Sequence, residues 1–204
     1  MRILSLILVS VLFAFNASAA DFAEGVHYSV LKTPLKYDDG RKQQIFTEVY
    51  SVYCGFCFQY ERSVIPKLKQ SLPKNVIFEE RHIRQLGQFG EEANDILSVL
   101  WDVPSYQRVK SAYFSAIFVD KKRFSRDEFI NFGLKTASLT HKQFNERLDN
   151  PRTRATRARW DEAYPIAKEY GTPVFVVNGR YVVLTDSIKS QQEYNELIKY
   201  LLKK

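Results

Sequence analysis

The chain contains two cysteines, Cys54 and Cys57, separated only by Gly55 and Phe56 in the stretch SVYCGFCFQY. Such a pair can serve as a structural clip, half of a metal site, or a redox centre. Zinc takes about four ligands, and two cysteines with only His27, His82 and His141 elsewhere form a poor set. Covalent haem attachment needs His directly after the second cysteine, where this chain has Phe58. A disulfide closing so short a loop removes little unfolded-state entropy, which demotes the clip without excluding it. The redox reading has a mechanism of its own. A sulfur at the start of a helix faces unpaired N–H groups and the positive end of the helix dipole, and both stabilise the thiolate that attacks disulfides. Cys54 would then be the nucleophile, and Cys57, one turn on, the buried resolving thiol. Metal and cofactor are expected to be none.

The flanking elements fit that geometry. A β-prone run from Gln44 to Tyr50 precedes the pair, and Phe58, Val64, Ile65 and Leu68 follow at helical spacing before Pro73. NVIFEERHI then reads as a second strand, giving the strand–helix–strand context a redox CxxC requires. Upstream, an extended lead-in ends at Asp38-Asp39-Gly40, which with its β-prone flanks predicts a hairpin. Helical patterns follow over 91–101, 105–119, 126–137, 141–148 and 152–170, two of them opened by capping boxes, Ser125 with Glu128 and Thr140 with Gln143. Strands return at Val174 to Val177 and Tyr181 to Leu184 around the turn Asn178-Gly179, and a last helix follows Ser190.

Residues 1–19 combine Arg2, an apolar run from Ile3 to Phe15, and small residues at Ala17 and Ala19, the pattern of a secretory signal peptide. Its removal takes one positive charge from a net +7 and leaves +6, which favours acidic partners only mildly. The expected compartment is oxidising, and the remaining length supports a hydrophobic core without disulfides.

Across these elements the chain resembles the DsbA family of bacterial periplasmic thiol:disulfide oxidoreductases, and within it the DsbL branch. The resemblance is carried by the CxxC helix, GTPVFVVNGRY, ADFAEGVHY and VVNGRYVVLTDSIKS. It implies an α/β thioredoxin fold with an inserted all-helical domain: residues 20–89 and 166–204 as the thioredoxin-like part and 90–165 as the insertion. It also implies that Pro173 is a cis-proline beside the active site, that Thr172 contacts substrate backbone, and that Glu48 is a buried acid exchanging protons with the resolving thiol. Implied partners are cysteine-containing exported proteins and a DsbB/DsbI-type membrane redox partner, with no nucleic acid, for a monomeric protein of the periplasm.

Two features depart from the DsbA pattern. Gly55-Phe56 replaces Pro-His, and Thr172 stands where strongly oxidising members carry Val. Both are similar to the isomerase DsbC, so a monomeric isomerase or reductase remains an alternative, as does a redox-inactive chaperone with a structural disulfide. Arg152, Arg154, Arg157 and Arg159 read either as a solvated helix face or as a basic rim for acidic partners. His82 reads either as near the site or as an unremarkable strand-end histidine. Tyr53, Phe56 and Phe58 offer an apolar docking surface around Cys54.

Overall fold

The computed structural model describes residues 22–37 and 44–204. The signal-peptide expectation and the Asp38-Asp39-Gly40 turn lie outside the described residues. Strand β2 (Gln44–Tyr50) is buried on both faces and sits between β3 (Val76–His82), parallel to it, and β4 (Val174–Val177), antiparallel. β5 (Tyr181–Val183) continues the sheet and β1 (Tyr28–Val30) closes its edge, in the order β1-β5-β4-β2-β3. The lead-in therefore pairs with β5 and not with β2, so it forms no hairpin with β2. Asn178 and Gly179 both take positive φ, 49° and 65°, the backbone a tight two-residue hairpin demands.

Alternation along β2 sorts its side chains between two packed layers. Phe46 joins Phe175, Ile65, Leu68, Leu197 and Leu201 under α1 (Gly55–Ser63), α2 (Ile65–Ser71) and α9 (Gln191–Leu202). Val49 joins Ile166, Val174, Val176 and Val182 on the opposite face, under α8 (Tyr164–Tyr170). The helical unit comprises α3 (Gly90–Val99), α4 (Ser105–Phe114), α5 (Arg126–Ala137), α6 (His141–Leu148) and α7 (Pro151–Asp161). Both capping boxes read from the sequence are formed.

The helix expected over 152–170 is instead two helices. Pro165 falls in the first turn of α8, where its missing N–H costs nothing; inside a continuous helix its ring would meet the carbonyl of Asp161. Pro66 divides α1 from α2 in the same way. The segment expected as one helix over 105–119 ends its α-helical part at Phe114 and widens into a π turn, Ser115–Val119. No helix among the described residues is long and apolar enough to cross a membrane.

Because β4 runs antiparallel to β2, the end of β2 and the start of β4 meet at one end of the sheet. The core of the helical unit, around Val109, Phe129 and Trp160, reaches the same end and includes Tyr50, Val52, Cys54 and Cys57. The cysteine pair thus lies where sheet and helical unit join.

Candidate active site

Cys54 is the N-cap of α1, with extended backbone (φ −92°, ψ 117°). Its Sγ accepts the N–H of Cys57 at 3.1 Å, the task a Ser or Asp oxygen usually performs at this position. Ser51 fixes the approach: its carbonyl accepts the N–H of Cys54 at 3.0 Å and its Oγ accepts that of Tyr53 at 3.1 Å. Across the site the Thr172–Pro173 peptide bond is cis, and the Thr172 carbonyl accepts the Cys54 thiol at 3.1 Å. Phe56 projects outward, 67% exposed. Gly55 is not demanded by space, since a Cβ there would meet Phe118 at an ordinary 3.6 Å.

Both cysteines are free thiols, and their surroundings drive their acidities apart. The Cys54 thiol is lowered to about 6, first by the hydrogen bond from the Cys57 thiol and further by the Thr172 side chain and the N–H groups of Cys57 and Phe56; burial opposes this. Cys57 is pushed well up, first by burial and then by the neighbouring Cys54. At neutral pH the pair therefore holds one thiolate at the helix cap and one proton on the deeper thiol. A thiolate attacks a disulfide and is also a good leaving group, so this asymmetry suits exchange in either direction.

Beneath Cys57 lies Glu48, 1% exposed. Burial, with Glu80 and Glu61 nearby, pushes its carboxyl up to about 8 against the pull of Lys110. Neither carboxylate oxygen has a hydrogen-bond partner; the Lys110 ammonium is 3.7 Å away. Lys110 instead donates to Glu61 at 2.5 Å and to Glu80. Glu48, Glu61 and Glu80 present oxygens within 4.8 Å of one another, and the ammonium bonded among them already supplies the positive charge that a metal ion would.

The sequence reading singled out Glu48 but missed Lys110, Glu61 and Glu80. One signal was present. Tyr106, Val109, Tyr113 and Phe114 form the apolar stripe of α4, and Lys110 sits within it, where an unpaired charge is not tolerated. Other expectations resolve simply. His82 is buried beside Tyr50 and Trp160, and burial lowers its pKa to about 3, so it serves the core as a neutral ring. The arginines of α7 form no free basic rim. Arg152 meets Asp102, Arg157 meets Glu91 and Asp95, Arg159 meets Glu79, and Arg154 donates to the Asp149 carbonyl.

A helix-capping thiolate, a buried second thiol and a cis-proline loop on a sheet of this topology define a thiol:disulfide oxidoreductase of the thioredoxin fold. The relatives agree. The chain is 30% identical over 214 residues to the thiol:disulfide interchange protein DsbL of Escherichia coli O6:H1 (strain CFT073), covering 97% of this chain and 95% of that protein. It is 25% identical over 214 residues to the thiol:disulfide interchange protein DsbA of Dickeya dadantii (strain 3937), covering 99% of each. The crystal structure of DsbL from Salmonella enterica serovar Typhimurium superposes with a TM-score of 0.81 at 29% identity, covering 91% of this chain and 100% of that one. No family model matches the chain. The chain belongs to the DsbA family of thiol:disulfide oxidoreductases, close to DsbL.

Proposed function

We propose that the protein exchanges disulfides with cysteines of exported proteins in the periplasm, as a monomer recharged by a DsbB/DsbI-type membrane partner. In this reading residues 1–19 direct export, 20–89 with 166–204 form the thioredoxin-like domain, and 90–165 form the inserted domain. Cys54 forms the mixed disulfide, Cys57 resolves it, and Glu48 exchanges a proton with Cys57. Thr172, Pro173, Gly55 and Phe56 frame the substrate chain.

The observation that carries the proposal is the opposed acidity of two thiols joined by one hydrogen bond. When a substrate thiolate attacks Cys54, the Cys54–Cys57 bond breaks and Cys57 leaves with the electron pair. Glu48 in its acid form supplies the proton Cys57 needs. A second substrate thiolate then attacks the mixed disulfide, releasing the Cys54 thiolate and an oxidised substrate.

A Cys54 value of about 6 supports a couple less oxidising than the most acidic thiols of this fold, whose pKa reaches about 3.5. With Gly55-Phe56 and Thr172, this also supports the isomerase or reductase alternative. Equilibration with glutathione at neutral pH decides between them. A population that remains largely disulfide-bonded under mildly reducing glutathione marks a reductase; one that is largely dithiol marks an oxidase. Rapid catalytic reduction of insulin that Cys54→Ser abolishes would eliminate the chaperone reading, whereas a wild type that reduces insulin no faster than the uncatalysed rate would remove the exchange function and leave that reading standing.

A further inference from the structure

Gly55 opens α1 between the two cysteines. Glycine has no Cβ and keeps more conformational freedom than any other residue, so inside a helix it is worse than Ala by about 1 kcal/mol. Yet this first turn must hold the Cys57 N–H at 3.1 Å from the Cys54 sulfur. Gly55 does not take positive φ, so the backbone does not call for a glycine, and residue 55 itself adds no stiffness to the turn.

The helical unit supplies a support from outside. Past Phe114 the chain widens into the π turn Ser115–Val119, with the Asp120 N–H donating to the Ser115 carbonyl and the Lys122 N–H to the Ala116 carbonyl, both at 2.9 Å. Single π turns are rare and concentrate at functional sites. This one carries Phe118 onto α1. Cε1 of its ring lies 3.6 Å from the point a Cβ of residue 55 would occupy. The same ring stacks on Phe58 at 15°, with centroids 5.3 Å apart, and Phe58 in turn leans on Phe114 at 5.9 Å. On Phe58 rests the Arg62 guanidinium, 5.4 Å from the ring centre. Two rings of the helical unit therefore wall one side of the turn that holds both cysteines.

We propose that Phe118 is a positioning residue for Cys54: packed on the Gly55 backbone, it restrains the first turn of α1 as a side chain at position 55 would, and so keeps the Cys57 N–H on the Cys54 sulfur. This inference rests on the reading of Cys54 as the nucleophile.

The leverage comes from where the stabilising groups sit. The Cys57 thiol and the N–H groups of Cys57 and Phe56 favour the Cys54 thiolate, and all three belong to this turn; Thr172 acts from across the site. Among titratable groups, Cys57 bears on Cys54 directly and Glu48 bears on Cys57. Hydrogen bonds weaken steeply with distance and angle, so a looser turn weakens three of them together. Loss of the ring has two effects of opposite sign. A looser turn raises the Cys54 midpoint, whereas admitting water lowers it, because burial opposes the thiolate. The direction of the shift therefore separates positioning from simple exclusion of water.

The test titrates the thiolate of the full-length reduced protein by its ultraviolet absorbance, assigned by its loss in Cys54→Ser. Phe118→Ala should raise the midpoint by about half a unit or more, which at pH 6 lowers the thiolate population about twofold. Phe118→Leu keeps part of the contact and should fall between the two; it also serves if Phe118→Ala does not fold. Gly55→Ala in the Phe118→Ala background should bring the midpoint back, because a Cβ restricts the turn from within. Phe78→Ala removes another partly buried ring, one stacked on Phe46 in a separate layer of the core, and should lower stability with the midpoint unmoved. A midpoint that loss of the Phe118 ring leaves unmoved or lowers, that Gly55→Ala fails to bring back, or that Phe78→Ala shifts equally would overturn the role of Phe118 alone. A thiolate signal that survives Cys54→Ser would overturn the reading of Cys54 and this inference with it.

Discussion

The Cys54 thiol lies 3.1 Å from the backbone carbonyl of Thr172, which accepts its proton. This contact favours the thiol, whereas the Cys57 thiol and the backbone N–H groups at the start of α1 favour the thiolate. The balance leaves the nucleophile at about 6, acidic enough to be ionised at neutral pH.

That balance predicts how the stability of the reduced protein depends on pH. The folded-state value, about 6, lies below the ordinary thiol value of 9.0, so the contribution is complete above pH 9 and disappears as pH falls through 6. The stability advantage of reduced wild type over reduced Cys54→Ala should shrink by about 2 kcal/mol between about pH 9 and about pH 5, allowing for solvent screening at the sulfur. Urea unfolding of both proteins under reducing conditions measures it. A constant difference would mean that Cys54 is not perturbed.

Arg81 offers a test of the opposite sheet face. Its side chain is fully buried, bonds Glu79 at 3.0 Å, and donates to the carbonyls of Arg159 at 2.9 Å and Lys36 at 2.7 Å. Arg81→Ala takes from buried Glu79 its nearer cation, leaving Arg159 at 3.3 Å and the Thr47 hydroxyl at 3.2 Å as partners, and unties both the lead-in and α7, at a cost of about 3 kcal/mol. Chemical denaturation should show that loss, while the Cys54 titration in the folded variant stays near 6 because Arg81 is not among the groups that set it.

Phe56 should matter to substrates and little to folding. A ring 67% exposed contributes little to the core, so Phe56→Ser should change stability by no more than about 0.5 kcal/mol. The apolar contact it offers beside Cys54 should be lost, raising KM for unfolded, cysteine-containing polypeptides while the rate with glutathione holds. An equal loss with both substrates would indicate that Phe56 acts on the thiol and not on docking.

Much of this arrangement was legible because its signals are local. β2, α5 and α6 begin and end where sequence patterning put them, and the Asn178-Gly179 turn and both capping boxes follow from residues a few positions apart. The Cys54 N-cap was legible for the same reason. The breaks at Pro66 and Pro165 were misread because apolar spacing continues through them, although the prolines alone forbid continuous helices. β1 was not resolved as a strand because its three residues owe their state to β5, about 150 positions away, and carry no pattern of their own. The Lys110 cluster draws on β2, α1, β3 and α4, and no local spacing encodes such a meeting. The approach of Thr172 to Cys54 was legible only through family resemblance.

Gly87 tests how the segment before Cys54 is held. It has φ +91°, a region that L side chains rarely enter, and a Cβ there would lie 2.0 Å from Cγ of Tyr53. The Tyr53 ring therefore packs directly on the Gly87 backbone and stacks on Phe129 with ring centroids 6.0 Å apart. Gly87→Ala adds both backbone strain and a collision with the Tyr53 ring and with its Cβ, 2.6 Å away, which no side-chain rotation can move. The cost should be about 2–3 kcal/mol, from strain of roughly 1 kcal/mol or more plus overpacking. Displacing Tyr53 also displaces its neighbour Cys54 from the Cys57 N–H, so the thiol should titrate above 6 and react more slowly with glutathione disulfide at neutral pH. Tyr53→Ala in the Gly87→Ala background removes the collision with the ring but keeps the Cβ contact at 2.6 Å and the strain. It should return the Cys54 titration towards 6 while recovering only part of the stability. If the double variant titrates as high as Gly87→Ala alone, the ring contact is not what holds Cys54 at the helix cap.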